Sequence, residues 1–166
     1  RPGDVASILS NTKPEWIYAD MGILCAGGVS SGIYPTDAAK QVEYLLVDSG
    51  SKVVFVEDDE QLDKVLMVRA RCPQLELIVI DDMEGLAAFA DPMTVSLQDF
   101  MARGQDYMQG REGLWQDMLD SRGTEDLAIL VYTSGTTGPP KGAMHANKSV
   151  LTQMRHADAL FPVTAE

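Results

Sequence analysis

The chain has 166 residues, enough for one domain with a real core or for a piece of a larger one, and its 45% apolar content argues for a folded protein. A formal net charge of −12 sets the surface as a whole against nucleic acid and anionic membrane. The two cysteines, Cys25 and Cys72, lie far apart and form no C-x-x-C, so a metal site or disulfide framework is disfavoured and a reduced, intracellular protein fits best.

In chain order, "DVASIL" (Asp4–Leu9) reads as a strand. Thr12 and Glu15 have capping-box spacing, Pro14 is tolerable in a first helical turn, and Ile17, Met21 and Leu24 recur at i, i+4, i+7, which predicts a helix with one apolar face. "GGVSSGIYP" (Gly27–Pro35) predicts a short strand exposed at one end, entered by a tight turn at Ala26–Gly28. A second helix is expected from Thr36 or Asp37, with Ala38, Val42 and Leu45 on one face and Gly50 as its stop. "KVVFVE" (Lys52–Glu57) is an apolar strand, Glu60–Arg71 a helix ended with the help of Pro73, and "LELIVID" (Leu75–Asp81) another strand. Asp82–Gly123 is less regular, with helical patches at Ser96–Ala102 and Glu112–Leu119. "DLAILVY" (Asp126–Tyr132) is a buried strand, and a last helix carries Val150, Met154, Ala157 and Phe161 on one face.

Strands alternating with helices predict an α/β fold with a mostly parallel sheet and flanking helices, whose ligands bind at the carboxyl ends of the strands. No internal repeat or low-complexity linker interrupts the pattern. The chain starts "RPGDVAS" without an initiator Met and stops at "FPVTAE", and is read as a single partial domain, residues 1–166, cut at both ends. No signal-peptide pattern is visible, and the longest uncharged run, Met21–Thr36, is too short and too broken by glycine, serine and proline to span a bilayer.

The informative stretch is Tyr132–Met144, "YTSGTTGPPKGAM", which leaves the last strand at such a carboxyl end. Gly135, Gly138 and Gly142 let backbone amides approach a ligand and form an anion-binding nest. The hydroxyls of Thr133, Ser134, Thr136 and Thr137 donate to phosphate oxygens without adding charge, Lys141 supplies the positive charge, and Pro139 and Pro140 restrict the loop. From Ala128 to Arg155 there is no Asp or Glu, while Lys141, Lys148 and Arg155 are present. These parts suit a polyphosphate cradle better than a featureless surface loop. The common nucleotide loop G-x-x-x-x-G-K-[ST] does not fit, because Pro140 stands five residues after Gly135 and Gly142 follows Lys141; G-x-G-x-x-G is absent too.

"YTSGTTGPPKGAM" resembles the phosphate-loop signature of the adenylate-forming superfamily, which includes acyl-CoA synthetases, luciferases and peptide-synthetase adenylation domains. "GDVASILSNTKPEW" (Gly3–Trp16) and "GILCAGGVSSGIYPTDAAKQVEYLLVDSGSKVVFVED" (Gly22–Asp58) are similar to that superfamily's early segments, and "YPT" with "MRHADALFP" leans toward long-chain fatty-acid–CoA ligases. The resemblance implies the N-terminal portion of an AMP-binding domain. It implies ATP-dependent activation of a carboxylic acid to an acyl-adenylate, then transfer to coenzyme A, with Mg2+ accompanying ATP. It assigns Thr133, Ser134, Gly135, Thr136, Thr137, Gly138 and Lys141 to the ATP phosphates. The catalytic lysine, the magnesium-binding acid and the adenine, ribose and acyl pockets are expected beyond Glu166, so the 166-residue chain alone is expected to be inactive. Expected partners are small-molecule substrates, with no nucleic acid and no transmembrane segment. The expected location is cytoplasmic, and peripheral membrane contact is left open. The alternatives are a non-catalytic phosphate- or nucleotide-binding module and a peptide-synthetase adenylation domain.

In one place the sequence departs from the superfamily pattern: "HANKS" puts His145 early and Asn147 where a histidine often falls. Asn147 is therefore read as an N-cap, and His145 and His156 as polar surface or capping residues. Trp16 and Trp115 are expected to pack, and the acidic runs Glu57–Glu60 and Asp81–Glu84 to be loops or caps rather than metal ligands.

Overall fold

The computed structural model describes residues 1–133 and 138–160. Seven strands form one sheet: β1 (Val5–Leu9), β2 (Val29–Ile33), β3 (Val53–Val56), β4 (Leu77–Ile80), β5 (Thr94–Ser96), β6 (Leu127–Thr133) and β7 (Lys141–Ala146). Their order is β5-β4-β3-β1-β2-β6-β7, and every pairing is parallel except β6 with β7. The expected mostly parallel sheet is present, with an antiparallel strand at one edge. Two strands, β5 and β7, were not read from the sequence. The three residues of β5 are too short for a period, and the outer face of β7 is solvated rather than apolar.

Among the described residues the other elements are helices α1 (Pro14–Cys25), α2 (Ala39–Ser49), α3 (Asp59–Val68), α4 (Leu97–Met108), α5 (Leu114–Asp120) and α6 (Asn147–Leu160), with a 3-10 turn at Arg69–Arg71 after α3. α2 and α3 cover one face of the sheet. Val42, Leu45, Leu46, Leu62 and Val65 pack there on Leu9, Ile33, Val54, Val56, Ile78 and Ile80. α1 covers the other face with Trp16, Ala19 and Ile23 against Ala6, Ile8, Val53 and Phe55, and Phe100 of α4 meets Phe55 edge-on at 5.6 Å. Strands buried on both faces explain the unbroken apolar runs of β3 and β4.

α1 corrects two expectations. Its inward face is Trp16, Ala19 and Ile23, while Ile17 and Met21 are 46% and 52% exposed. The residue before the helix is Lys13 in extended conformation with no side-chain cap, so the Thr12–Glu15 box does not form. The aromatic surface of Trp16 outweighs the aliphatic stripe in deciding which side turns inward. Trp115, also expected to pack, is 45% exposed. β2 is an interior strand between β1 and β6 with four of its five residues buried, and the stretch is exposed at its carboxyl end as expected, at Gly32 and Tyr34.

The turns behave as read. Gly27 has φ +75° and leads α1 into β2, while a Cβ on Gly28 would lie 3.0 Å from the Ile23 side chain and 3.2 Å from two carbonyl oxygens. Gly50 ends α2 in the left-handed region at φ 66°. Asp58 caps α3 and Ser96 caps α4 through their side chains. Cys72 is a buried free thiol whose Sγ donates to Val68 O, and burial pushes it up; Cys25 is half-buried and free. Among the described residues no helix is long and apolar enough to cross a membrane.

Candidate functional site

β6 runs parallel to β2, so its carboxyl end emerges on the same edge as those of β1, β3 and β4. The phosphate-loop stretch starts there and returns antiparallel as β7. Thr133 is the last residue of β6 and Lys141 the first of β7, and the two are directly paired. The loop is therefore the closed end of a β-hairpin. Lys141 belongs to a strand rather than to the loop proper, where the sequence reading had put it. Its side chain is exposed and forms no ion pair among the described residues. Gly138 has φ +97°, a conformation that L side chains rarely adopt. Ser134, Gly135, Thr136 and Thr137 lie outside the described residues.

The hairpin is tied down from an unexpected direction. The Tyr132 hydroxyl donates to Asp48 Oδ2 at 2.8 Å, and the Tyr44 hydroxyl donates to the Pro140 carbonyl at 2.8 Å. Tyr44 and Asp48 are one turn apart on α2. Burial first, then Asp48, pushes both phenols up, so they stay protonated donors at neutral pH. Gly142 leaves room opposite Tyr132, where a Cβ would lie 3.2 Å from the ring and push it by a few tenths of an ångström. The sequence showed no acid in this segment, yet the fold brings in Asp48 from 84 residues away. Sequence reasoning missed Tyr44 and Asp48. The available signal was a phenol and a carboxylate at i, i+4 on an amphipathic helix that also carries Lys40, Gln41 and Glu43, which names no partner.

At the base of the hairpin, Lys148 pairs with Glu125 at 2.5 Å, and the Asn147 side-chain amide donates to Gly123 O at 2.9 Å. Asn147 is the first residue of α6, and its side chain holds the turn before β6. His145 is an exposed β7 residue. On the α1 face, an open groove of about 280 Å³ runs past Trp16, Asp20, Tyr34 and Val131 beside β2 and β6.

The chain reverses direction across the sheet between β1 and β3, the crevice where such sheets commonly take ligands. Here that crevice is closed by the protein itself. Lys13 lies 2.7 Å from Asp81 and 3.7 Å from Glu57, and Glu57 also accepts from the Asn11 amide at 2.7 Å and its side chain at 2.9 Å. Asp81 holds Lys13 above its ordinary range; burial of Glu57 is outweighed by the Asn11 donors, which lower it. One acid of each run, Glu57 and Asp81, thus serves a lysine, while Asp58 caps α3 and Asp82 accepts from the Glu84 amide; among the described residues no three His, Cys, Asp or Glu side chains gather as a metal site.

Known proteins agree with this geometry. The chain is 32% identical over 150 residues to the long-chain-fatty-acid–CoA ligase ACSBG1 of Macaca fascicularis, an alignment covering 90% of this chain and 20% of that protein. It is 30% identical over 148 residues to ACSBG2 of Homo sapiens, covering 86% and 21%. The crystal structure of the anthranilate CoA ligase AuaEII with anthranoyl-AMP superimposes with a TM-score of 0.69 at 26% identity, covering 97% of this chain and 27% of that one. The chain thus spans about a fifth of the length of the curated relatives it matches. The AMP-binding enzyme profile matches residues 1–165, and it is to that family that this chain belongs.

Proposed function

We propose that this segment supplies the triphosphate grip of an ATP-dependent acid–thiol ligase, working within a longer chain. A carboxylate oxygen attacks the α-phosphorus of ATP, forming an O–P bond and expelling pyrophosphate. The thiol of coenzyme A then attacks the acyl carbon, and AMP leaves. Similarity to the two long-chain-fatty-acid–CoA ligases supports a long-chain fatty acid as the carboxylate.

The observation that carries the reading is the hairpin: Thr133 and Lys141 are paired across the mouth of a glycine- and hydroxyl-rich turn at the carboxyl end of a parallel strand. Thr133, Ser134, Gly135, Thr136, Thr137, Gly138 and Lys141 hold the β- and γ-phosphates. Negative charge accumulates on the departing pyrophosphate, and donors already in place stabilise it without reorganising. Lys141 sits on a hydrogen-bonded strand, so its charge is delivered from a fixed backbone while the glycines let amides approach. In this reading Mg2+ accompanies ATP and would help neutralise the phosphates. The 166-residue chain, about a fifth of the length of the curated relatives, is proposed to depend on the rest of a longer chain for turnover.

The test is carboxylate-dependent ATP–pyrophosphate exchange by the full-length protein across fatty acids and amino acids, with Lys141→Ala and Thr136→Ala beside wild type. Exchange with long-chain acids that drops about 100-fold in Lys141→Ala is expected. Exchange with amino acids would move the protein to the peptide-synthetase branch, and none with any acid would leave a phosphate-binding module.

A further inference from the structure

Beyond Leu130 the hairpin leaves the sheet. β2 pairs with β6 only through Ser30–Ile129 and Ser31–Leu130, whereas β6 and β7 stay paired out to Thr133–Lys141. The loop-bearing half, with Val131, Tyr132 and Thr133 on one strand and Lys141 to Ala143 on the other, has no ladder on either side. A two-stranded ribbon without a third strand is marginal in water. Something else must hold it.

We propose that Tyr44 and Asp48 of α2 are positioning residues that clamp this half-hairpin and thereby set where the phosphate loop stands. The proposal rests on the ligase reading above. Four residues along a helix rise about 6 Å, close to the roughly 5 Å between paired strands, so one turn of α2 reaches both arms of the ribbon. Asp48 receives the hydroxyl of Tyr132, one residue before Thr133; Tyr44 gives its hydroxyl to the carbonyl of Pro140, one residue before Lys141. The two contacts bracket the loop. Tyr132 is also the register partner of Gly142 on β7, so fixing its ring bears on both strands. α2 itself is anchored by packing: Val42, Leu45 and Leu46 are buried in the larger core cluster. Rigidity is thus carried from the core, through two phenols, to the residues that flank the triphosphate.

The clamp touches no reacting atom, so its loss should weaken the grip on ATP and leave the carboxylic acid unaffected. In the full-length protein, Tyr44→Phe combined with Asp48→Ala is expected to raise the KM for ATP about tenfold, as loss of one to two hydrogen bonds would. The KM for the acid should stay within about twofold and the Tm should be little changed. Asp48→Asn keeps an acceptor for Tyr132 and should restore most of the ATP affinity. Hydrogen exchange should quicken about tenfold at the amides of Val131–Thr133 and Lys141–Ala143 and not in β1 or β3. Unchanged exchange in the hairpin would overturn the clamp, as would a loosened hairpin with an unchanged KM for ATP. A wild-type protein without exchange activity would sink the ligase reading alone, since hydrogen exchange still decides the clamp.

Discussion

Replacing Lys13 by Met tests how the fold seals its own crevice. The ammonium bridges the loops after β1, β3 and β4, at 2.7 Å from Asp81 and 3.7 Å from Glu57, and all three side chains keep between 17% and 26% of their surface. At 2.7 Å and an effective dielectric of about 20, the Asp81 attraction alone is about 6 kcal/mol before desolvation. The remaining quarter of exposed surface screens it, so the net loss should fall between an exposed and a fully buried pair, at about 2 kcal/mol. That corresponds to a Tm lower by about 4–8 °C for a chain of this size. Urea unfolding monitored by far-UV circular dichroism gives the number, provided the m-value is unchanged. Asp81→Asn in the Lys13→Met background should recover about half, because it removes the carboxylate left without a partner; Glu57 keeps both Asn11 donors. A Lys13→Met variant within about 0.5 kcal/mol of wild type would refute the argument and mean that the crevice is held by packing alone.

Gly50→Ala forces a side chain into the left-handed region with nothing within 4 Å to clash, so the cost should be backbone strain alone, about 1 kcal/mol, in the same urea assay. Ser31→Ala should raise stability by up to about 1 kcal/mol, since Ser31 Oγ is buried with no hydrogen-bond partner among the described residues. Ser7→Ala should lower it by about as much, because the Ser7 and Ser51 hydroxyls share a buried 2.6 Å hydrogen bond. Glu57, despite its burial, is held below its ordinary range by Asn11, and Asp91, likewise part-buried, by Arg69 and Thr94. A lowered folded-state value means stability present above the ordinary carboxylate range and lost as pH falls through the depressed values. Thermal melts should therefore decline steadily on acidification below that range, and an Asn11→Ala/Asp91→Asn variant should decline less. Asp37, raised by burial, works in the opposite direction but stands alone.

The elements that were legible in the sequence carry strong local signals. β1, β3, β4 and β6 are apolar runs of strand length, α2 and α3 have helical periodicity, and Gly50 and Pro73 mark their ends, while the Asp58 cap of α3 came from the structure. Elements whose period is weak or split were not. The inward face of α1 depends on which of two stripes the sheet accepts, and Trp16 decides that only when β1 and β3 are already in place. β7 has alternation too faint to see because its outer side meets no second layer.

Composition and spacing alone determined the alternating α/β class and pointed to Thr133–Lys141 as the candidate phosphate-binding turn that is proposed above. Backbone freedom at glycine, hydroxyl donors and an isolated cation are properties of residue type, readable before folding. Tertiary structure decided that Thr133 and Lys141 face each other across a hairpin, that Lys13 bridges the acids at the carboxyl ends of β3 and β4, and that α2 reaches 84 and 96 residues along the chain to Tyr132 and Pro140. Those contacts join segments with no local relation. They exist because parallel strands must be linked by crossovers, which stack distant stretches of chain side by side.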